Sequence, residues 1–428
     1  MTWVVVGALL VVAACVSLSS PGRSAAVPAV RVGYESGASQ PVRIALETTA
    51  ENRIGATGEW GLFEAGTSSP VARFQPTQEI TVSGFRDCNT AGSCTAMLRI
   101  DPTVSRATNN GPVVARPLDN GSFVTWNGKR YRGEIMINPA DSGLLVVNRL
   151  TMDSYLRGVV PLEIGNRTSA EMAAVQAQAV AARTYAYKHL TDKRAFDMYA
   201  TVQDQVYGGV DAEKPLSDTA ITTTADVVVL YNGQPITTPY HSTCGGSTAG
   251  VSEVWYNQPD EPYLRPVSDK IPGTENYYCD PSPRFSWTQS YDAAGLRAVM
   301  EKYLASYTNA PKTNLGKITD VREQGRTPSG RVASLVVQTE SGSYTLRGND
   351  IRFVLRDPKG AILNSTYFTF TESSSGGEVS ALTVNGRGYG HGIGMCQWGA
   401  IGRARAGQNY RTILETYYPG TTIGRIAG

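Results

Sequence analysis

The sequence predicts an α+β protein in which strand-rich regions surround one long helix. Residues 27–125 contain short runs of alternating apolar and polar residues that Gly, Pro, Ser and Asn interrupt, which is the pattern of half-buried strands. A run rich in Ala and Gln predicts a helix over about 169–189, and strand-like runs return over about 285–380. With 428 residues, of which 41% are hydrophobic, the chain can form two or three domains with compact cores.

Residues 1–26 have the features of an export signal. An apolar stretch over Trp3 to Leu18 precedes helix breakers and the small residues Ser24-Ala25-Ala26, which suit a signal peptidase. Because the stretch is short for a membrane span, we expect cleavage after Ala26 and a secreted or cell-wall-associated protein. The alternative is a lipid anchor, since Val12-Ala13-Ala14-Cys15 resembles a bacterial lipobox in which Cys15 is modified.

Residues 27–125 are predicted to form an N-terminal β-rich region, and residues 126–428 a second domain with a strand-rich insertion over about 285–380. The first region carries no motif, and its first strands either pair with the second domain or form a unit of their own. The clearest strand patterns are Val30–Gly33, Val42–Leu46, Glu79–Val82, Tyr131–Ile137 and Leu144–Leu150.

A single glutamate, Glu163, lies in an apolar stretch that is predicted to turn just before the long helix. Its neighbours in the chain offer no charge that would neutralise it; they are Val159, Val160, Pro161, Leu162 and Ile164. If this turn packs inward, burial raises the pKa of the carboxyl and makes it a proton donor near neutral pH. The alternative is an ordinary solvated glutamate at a turn.

The long helix has a recognisable start. Thr168 and Glu171 have the spacing of a capping box, so the helix is predicted to begin just after Thr168 and to end near His189. One face carries small residues that permit close packing against other elements, namely Ala170, Ala173, Ala174, Ala177 and Ala181. Gln178 and Arg183 can hydrogen-bond into a cleft, and the alternative is a buried helix with polar edges.

A hairpin is predicted around Asn232-Gly233, because this pair separates two apolar runs. The second strand of the hairpin leads to His241. We expect His241 to contact substrate, to position Glu163 or to bind metal, with a purely structural role as the alternative. Further along, apolar residues at helical spacing predict a helix near Asp292 to Tyr307.

A glycine-rich loop is predicted over residues 386–394, which contain five glycines in nine positions, including Gly390. It has neither the Lys-Ser/Thr pair of a phosphate-binding loop nor the context of a dinucleotide site. Short helices are predicted after it, one ending at Gly407 and a second from about Tyr410 to Tyr417. His391 and Gln397 therefore lie near a helix start.

The cysteines predict disulfides in an oxidising compartment. Cys88 and Cys94 enclose a short polar loop and are the first predicted pair, while Cys244 and Cys279 form a second pair and leave Cys396 free. The alternative is a zinc site, because histidine and cysteine lie close together at two places in the sequence. Its ligands would be His241, Cys244, His391 and Cys396.

The charge of the chain excludes one class of partner. The formal net charge is +2, charged residues make up 18% of the chain, and no long run of Lys or Arg occurs. Because a nucleic-acid-binding surface needs a concentrated positive patch, we expect no nucleic acid partner.

Several sequence blocks, in a consistent order from about residue 130 to the C-terminus, carry a family resemblance. They are Asp153-Ser-Tyr-Leu-Arg-Gly-Val-Val-Pro-Leu-Glu163, Ala174–Ala186, Gln205-Val-Tyr-Gly208, Tyr240-His-Ser-Thr-Cys-Gly-Gly246, Gly388–Ala400 and Tyr417-Tyr-Pro-Gly420. Together they resemble the SpoIID/LytB family, the peptidoglycan lytic transglycosylases and amidase enhancers of bacterial envelopes. The resemblance implies a SpoIID-like catalytic core within residues 126–428.

The resemblance also implies roles for individual residues. The glutamate of the family's Val-Pro-x-Glu segment, which is assigned to cleavage of the glycosidic bond, falls on Glu163. The matched blocks supply the candidate substrate-binding residues Gln178, Arg183, Tyr185, His241, Gly390, His391 and Gln397.

The expected reaction follows from the number of carboxylates. Ordinary glycosidases use two, and here only Glu163 stands out. We therefore expect a lytic transglycosylase in which Glu163 acts as acid and then as base, giving 1,6-anhydromuramyl ends without a cofactor. The expected partners are peptidoglycan glycan strands, and whether they must be denuded of stem peptides, as relatives of the sporulation type prefer, is left open. The resemblance also suggests a cell-wall amidase as a partner. The alternatives are a non-catalytic glycan-binding enhancer of such an amidase and a structural wall protein.

Overall fold

The computed structural model describes residues 41–90, 92–100, 108–109 and 111–426. The signal-like segment 1–26, with Cys15, and the predicted strand Val30–Gly33 lie outside the described residues. Within the described ranges, helices and strands combine in several sheets, which confirms the predicted α+β class. No helix in these ranges is both long enough and apolar enough to cross a membrane.

Most helices in the described part of the chain are short, and the two longest are consecutive. In chain order they are α1 Met152–Ile164, α2 Met172–His189, α3 Pro215–Thr223, α4 Val251–Val254, α5 Ala293–Tyr303, α6 Asp350–Val354, α7 Gln397–Arg405 and α8 Tyr410–Tyr417. Short 3-10 turns occur at Ser169–Glu171, Gly209–Ala212 and Leu304–Ser306.

The strands form two large sheets and several small ones. The first half of the chain contributes β1 Val42–Thr49, β2 Glu51–Ala56, β3 Trp60–Glu64, β4 Ala72–Phe74, β5 Ile80–Cys88, β6 Cys94–Ile100, β7 Thr108–Asn109, β8 Val113–Pro117, β9 Val124–Trp126, β10 Lys129–Tyr131, β11 Glu134–Ala140, β12 Gly143–Leu150 and β13 Met198–Tyr199. The second half contributes β14 Val227–Tyr231, β15 Gln234–Pro235, β16 Tyr240–His241, β17 Ser286–Asp292, β18 Ile318–Glu323, β19 Ser334–Thr339, β20 Gly342–Arg347, β21 Phe368–Ser375, β22 Glu378–Arg387, β23 Met395–Cys396 and β24 Thr422–Arg425.

The largest sheet has seven strands in the order β13-β1-β12-β11-β8-β3-β4. The predicted strand at Val42 is its second member: β1 runs antiparallel to β12, with Val42 opposite Leu150, and parallel to β13. Strands on both sides of the predicted boundary at residue 125 therefore share one sheet. The first described strand pairs with the second domain, as one of the two sequence-based alternatives proposed.

One hydrophobic core joins both large sheets to α1 and α2. Three of the five small residues predicted to pack closely, Ala174, Ala177 and Ala181, are fully buried in it. The capping box is confirmed, because the Glu171 carboxylate accepts a hydrogen bond of 2.9 Å from the Thr168 amide. The helix itself begins slightly later than predicted, since the first turn after Thr168 is a 3-10 turn.

The strand-rich insertion has a hydrophobic core of its own. It contains the sheets β17-β22-β21 and β18-β19-β20 together with α5 and α6. The predicted helix near Asp292 is confirmed as α5, whose first turn is capped by the Asp292 carboxylate accepting from the Gly295 amide at 2.7 Å. The insertion therefore packs around its own core, which is distinct from the core that contains α1 and α2.

The hairpin at Asn232-Gly233 is confirmed, with φ values of 51° and 75° at its two central residues. Its second strand ends sooner than predicted, at Pro235. The chain then forms β16, which pairs in parallel with β23, so that Tyr240 lies opposite Met395 and His241 opposite Cys396. This pairing brings two segments that are far apart in the sequence to one place, directly before the confirmed helices α7 and α8.

Candidate active site

Glu163 lies in the last turn of α1, and the prediction of a turn at this position is wrong. The helix begins after Thr151, whose hydroxyl accepts from the Ser154 amide, and ends at Gly165, which has a φ of 75°. The same turn of the helix contains Pro161, which cannot donate a hydrogen bond to the preceding turn. However, Val159, Val160 and Ile164 beside it are buried against the core, so packing outweighs the missing hydrogen bond.

The Glu163 carboxyl lies at the boundary between the core and solvent. The preceding residue, Leu162, is 46% exposed, and Glu163 itself is half-buried. Burial raises the pKa of Glu163 and outweighs three neutral donors that lower it. These donors are the Val206 amide, at 3.0 Å from Oε1, the Tyr240 hydroxyl and the Gln397 side-chain amide. The net effect favours the protonated carboxylic acid, as the sequence predicted.

Tyr240 is held toward Glu163 by a short hydrogen-bond chain. The Gln205 amide nitrogen donates to the Tyr240 hydroxyl oxygen at 2.9 Å, and the Gln205 carbonyl accepts from the Tyr155 hydroxyl at 2.9 Å. Since the Tyr240 oxygen already accepts from Gln205, its own proton is available to the Glu163 carboxylate. Burial raises the pKa of Tyr240 well above its usual value, so that it remains a donor.

Gln205 and Tyr240 were not among the predicted site residues. Both lie in sequence blocks that carry the family resemblance, which was the available signal. The hydrogen bond between Gln205 and Tyr240, and the one from Tyr240 to Glu163, connect residues far apart in the chain. Nothing in the local sequence indicates such partners.

Gln397 contacts Glu163 and Gln178 contacts Gln397, while the substrate-binding role of both residues stays a prediction. The Gln397 side-chain nitrogen donates to the Gln178 carbonyl oxygen at 3.2 Å, and both side chains are buried. Among the described residues, the Gln178 side-chain nitrogen has no hydrogen-bond partner. The pair links α2 to α7 beside the carboxyl.

Tyr185 lies at the edge of the same group. Its hydroxyl donates to Asp204 at 3.1 Å, and its ring stacks on His189 with 4.0 Å between centroids. Burial raises the pKa of Tyr185, and the charges of Asp204 and Glu163 raise it further. Asp204, which the sequence did not single out, is therefore a further carboxylate in contact with this group.

Arg183 has a different position from the one expected of a substrate-binding residue. It is 1% exposed, and its guanidinium donates to Asp153 at 3.2 Å and to the carbonyl oxygens of Ile221 and Val227 at 3.2 and 3.3 Å. These groups belong to α1, α3 and β14, and none of them contacts Glu163. The guanidinium connects elements of the core, so the alternative of a buried helix with polar contacts describes this residue.

His241 and His391 connect the glycine-rich loop to β16 through contacts with backbone groups. His391 accepts from the Ile393 amide at 3.0 Å and donates to the Tyr240 carbonyl at 2.9 Å, while His241 contacts the Ile393 carbonyl at 3.2 Å. Burial lowers the pKa of His391 to about 4 and that of His241 well below its usual value, so both rings are neutral. At Gly390, where φ is 117°, a Cβ atom would come within 2.8 Å of His241. These contacts support a positioning or structural role.

The cysteines agree with the predictions in one pair only. The Cys88–Cys94 disulfide is confirmed. Cys244 and Cys279 are not bonded: their sulfurs are 3.6 Å apart, and Cys396 joins them in a buried group of free thiols. The fourth ligand-type side chain of this group is Asp269 rather than a histidine. Two of the four ligands named in the zinc alternative, Cys244 and Cys396, belong to this group. The other two, His241 and His391, hydrogen-bond to backbone groups instead.

Comparisons with known families match two parts of the chain. A family model described as stage II sporulation protein, SpoIID, matches residues 140–231, which contain α1, α2 and Glu163. A second model, described as a domain of unknown function, matches residues 271–394, which contain the strand-rich insertion.

Individual relatives extend the match over most of the chain. An uncharacterized protein of Brachyspira hyodysenteriae is 31% identical over 302 residues, covering 70% of this chain and 73% of the relative. The stage II sporulation protein D of Bacillus subtilis is 30% identical over 295 residues, covering 65% and 75% respectively. The amidase enhancer of Bacillus subtilis is 33% identical over 290 residues, covering 63% of this chain but 40% of the relative.

Proposed function

The chain belongs to the SpoIID family, and from this premise we propose that it cleaves the glycan strands of peptidoglycan as a lytic transglycosylase. The proposal rests on the state of the Glu163 carboxyl. This group is half-buried, burial raises its pKa, and its hydrogen-bond donors are neutral. A carboxyl in this state can donate a proton near neutral pH and take one back afterwards.

In the first step, Glu163 protonates the glycosidic oxygen while the bond from that oxygen to C1 of the muramic acid breaks. Positive charge develops at C1 as in an oxocarbenium ion. In the second step, the Glu163 carboxylate takes the proton of the C6 hydroxyl, and O6 of the same sugar bonds to C1. The products are a free hydroxyl on one sugar and a 1,6-anhydromuramyl end on the other, and Glu163 is again protonated.

The three neutral donors suit both steps. After the first step the carboxylate is negative, and the Val206 amide, the Tyr240 hydroxyl and the Gln397 amide stabilise it with hydrogen bonds. A paired arginine would stabilise that charge more strongly and would lower the pKa of the acid needed at the start. Neutral donors therefore stabilise the carboxylate without the larger decrease in pKa that an arginine would cause.

A second candidate function is that of a non-catalytic binder that enhances a cell-wall amidase. It is favoured by the similarity to the amidase enhancer of Bacillus subtilis, although this chain spans only 40% of that protein. On this proposal, glycan binding would survive the loss of Glu163, and an amidase would be the partner. Export, through a signal in residues 1–26, belongs to both proposals, since peptidoglycan lies outside the cytoplasm.

The test is mass spectrometry of the soluble products released from purified glycan strands, with and without stem peptides. The full chain, its Glu163→Gln variant and a Glu415→Gln control are compared; Glu415 is an exposed residue of α8. Anhydromuramyl ends from the wild type and the control, but not from Glu163→Gln, support the proposal. Reducing ends would indicate a hydrolase with a second carboxylate. Binding to both kinds of strand without any cleavage would favour the amidase-enhancing function.

A further inference from the structure

Four buried side chains that could bind a metal converge beside the candidate active site. Cys244 follows β16, Asp269 and Cys279 lie in the loop before β17, and Cys396 is the last residue of β23. Each is 0% exposed, and their ligand atoms all lie within 4.8 Å of one another. Free thiols from three separate segments do not meet in this way through local sequence preference, so the cluster requires an explanation of its own.

The distances fit a tetrahedral metal better than a disulfide. The sulfurs of Cys244 and Cys279 are 3.6 Å apart, and the Cys244 sulfur is 3.8 Å from Oδ2 of Asp269. Two thiolates on a tetrahedral zinc ion, with Zn–S bonds of about 2.3 Å, lie about 3.8 Å apart. A disulfide brings the two sulfurs to about 2 Å.

The surrounding groups orient the four ligands. Oδ1 of Asp269 accepts from the Tyr417 hydroxyl at 2.7 Å and from Arg403 at 3.1 Å, which leaves Oδ2 directed toward the sulfurs. The Cys396 sulfur accepts from the amides of Cys244 and Gly399, both at 3.2 Å. Outer contacts of this kind fix metal ligands in place, and N–H donors stabilise a thiolate.

We propose that Cys244, Asp269, Cys279 and Cys396 bind one Zn²⁺ ion in a closed structural site. Thiolates favour zinc over magnesium or calcium, and four protein ligands complete a tetrahedral shell with no position left for water. The charges also agree, because Zn²⁺ and the adjacent Arg403 offset most of the negative charge of three thiolates and one carboxylate. The site differs from the histidine-containing set that the sequence suggested.

The zinc would fix two of the three donors to Glu163. Cys396 directly precedes Gln397, and Cys244 follows the strand that carries Tyr240. The ion therefore ties both donor segments to the loop that holds Asp269 and Cys279. This consequence for activity rests on the proposed function, whereas binding of the metal does not.

The first test is the zinc content of the full chain, purified without chelator and measured by inductively coupled plasma mass spectrometry. We expect about one zinc per chain, lost in Cys279→Ser and retained in the matched control that replaces both Cys88 and Cys94 by Ser, whose disulfide lies elsewhere. The Asp269→Asn variant keeps the shape of the side chain and is expected to weaken zinc binding about tenfold or more. Cobalt substitution should give the charge-transfer and d–d bands of a thiolate-rich tetrahedral site.

A second measurement on the wild type does not depend on whether variants fold. Cys244, Cys279 and Cys396 should react with an alkylating reagent only after a strong chelator is added, as peptide mapping would show. A disulfide between Cys244 and Cys279, detected as a mass lower by two hydrogens in a metal-free protein, would overturn the proposal. So would zinc that is retained in Cys279→Ser at full occupancy.

The two proposals fail in different ways. Zinc at one per chain together with no anhydromuramyl product would leave the metal site intact and reject the transglycosylase. If both hold, the chelated protein should cleave glycan at least about tenfold more slowly and recover with added zinc, whereas Glu163→Gln should keep its zinc and stay inactive.

Discussion

Two glutamates on either side of the connection between α1 and α2 have opposite environments. Glu163, at the end of α1, is stabilised only by neutral donors, and burial raises its pKa. Glu171, at the start of α2, is also subject to burial, but the Thr168 amide and Arg405 outweigh it and lower its pKa. The Glu171 carboxylate accepts from Arg405 at 2.6 Å. The environment of Glu163 thus favours the protonated carboxyl, whereas that of Glu171 favours the carboxylate.

A third glutamate, Glu134, shows that a neighbouring arginine does not by itself lower the pKa of a buried carboxyl. Glu134 lies 2.9 Å from Arg149 and 3.8 Å from Arg116, and burial still raises its pKa above the usual value. The deciding quantity is the balance between lost hydration and the partners gained. Glu163 combines burial with contact to solvent, which distinguishes it from the enclosed, ion-paired Glu134 and makes its proton accessible to a ligand.

The largest expected effect is on catalysis. Glu163→Gln should reduce the rate of anhydromuramyl formation by about 100- to 10,000-fold, because general acid–base catalysis by one side chain contributes on that scale. Glu171→Gln should keep the rate within a few-fold of the wild type. Steady-state release of soluble fragments from purified strands measures both. Equal losses in the two variants would mean that Glu163 is not chemically distinct from Glu171.

The next largest effect is on stability, and here a substitution at Glu171 should have a larger effect than one at Glu163. Glu171→Ala should lower the free energy of unfolding by about 1–2 kcal/mol, since it removes a helix cap and the partner of a half-exposed arginine. Glu163→Gln keeps the shape of the side chain and should not destabilise the protein at neutral pH. Urea unfolding with an unchanged m-value checks both. A larger loss in Glu163→Gln would contradict the assignment of a functional rather than structural role.

A smaller effect, with a definite sign, is expected in the pH dependence of stability. Because the folded pKa of Glu163 is raised, its contribution is greatest below the usual pKa of glutamate and is lost as the pH rises through the raised value. The pKa of Glu171 is lowered, so its contribution is present above the usual pKa and is lost as the pH falls. Relative to wild type, Glu163→Gln should therefore gain stability with rising pH, and Glu171→Gln should lose it. The free energy of unfolding of the wild type and both variants is measured by urea unfolding at several pH values. If it changed with pH in the same way for all three proteins, the prediction would be contradicted.

The smallest effect tests the donors around Glu163. Tyr240→Phe removes one hydrogen bond to the carboxylate, so the pKa of Glu163 should rise further and the alkaline limb of the pH–rate profile should move to higher pH. At neutral pH the rate should change only a few-fold. Tyr410→Phe, on a half-buried ring of α8, is a matched control. A uniform loss of rate at every pH, without a shift of the limb, would show that Tyr240 acts on packing rather than on Glu163.

Features with a local cause could be predicted from the sequence. The capping box at Thr168 and Glu171, the hairpin at Asn232-Gly233 and the Cys88–Cys94 disulfide each depend on residues a few positions apart. The helix that carries Glu163 was missed, because the apolar stretch was interpreted as a turn, whereas packing against the core makes it helical despite Pro161.

Features that depend on distant pairing could not be predicted. The sequence selected Glu163 and Gln397 separately, but it could not show that Tyr240 and Gln205 complete the group. Asp269 meets the three cysteines only because β16 pairs with β23 and the loop before β17 folds across them. Spacing in the chain suggested histidine as the partner of cysteine, and only the folded arrangement identifies the carboxylate.

The order of strands in the largest sheet has a consequence for how the protein is made. β1 is synthesised first, yet both of its neighbours, β12 and β13, follow only after residue 142, so the sheet cannot close early. Gln397, a donor to Glu163, is synthesised later still, long after Glu163 itself. A nascent chain that has not yet reached Gln397 thus carries Glu163 without its full set of donors, and on the proposed function its ability to cut glycan would arise only after α7 has been made.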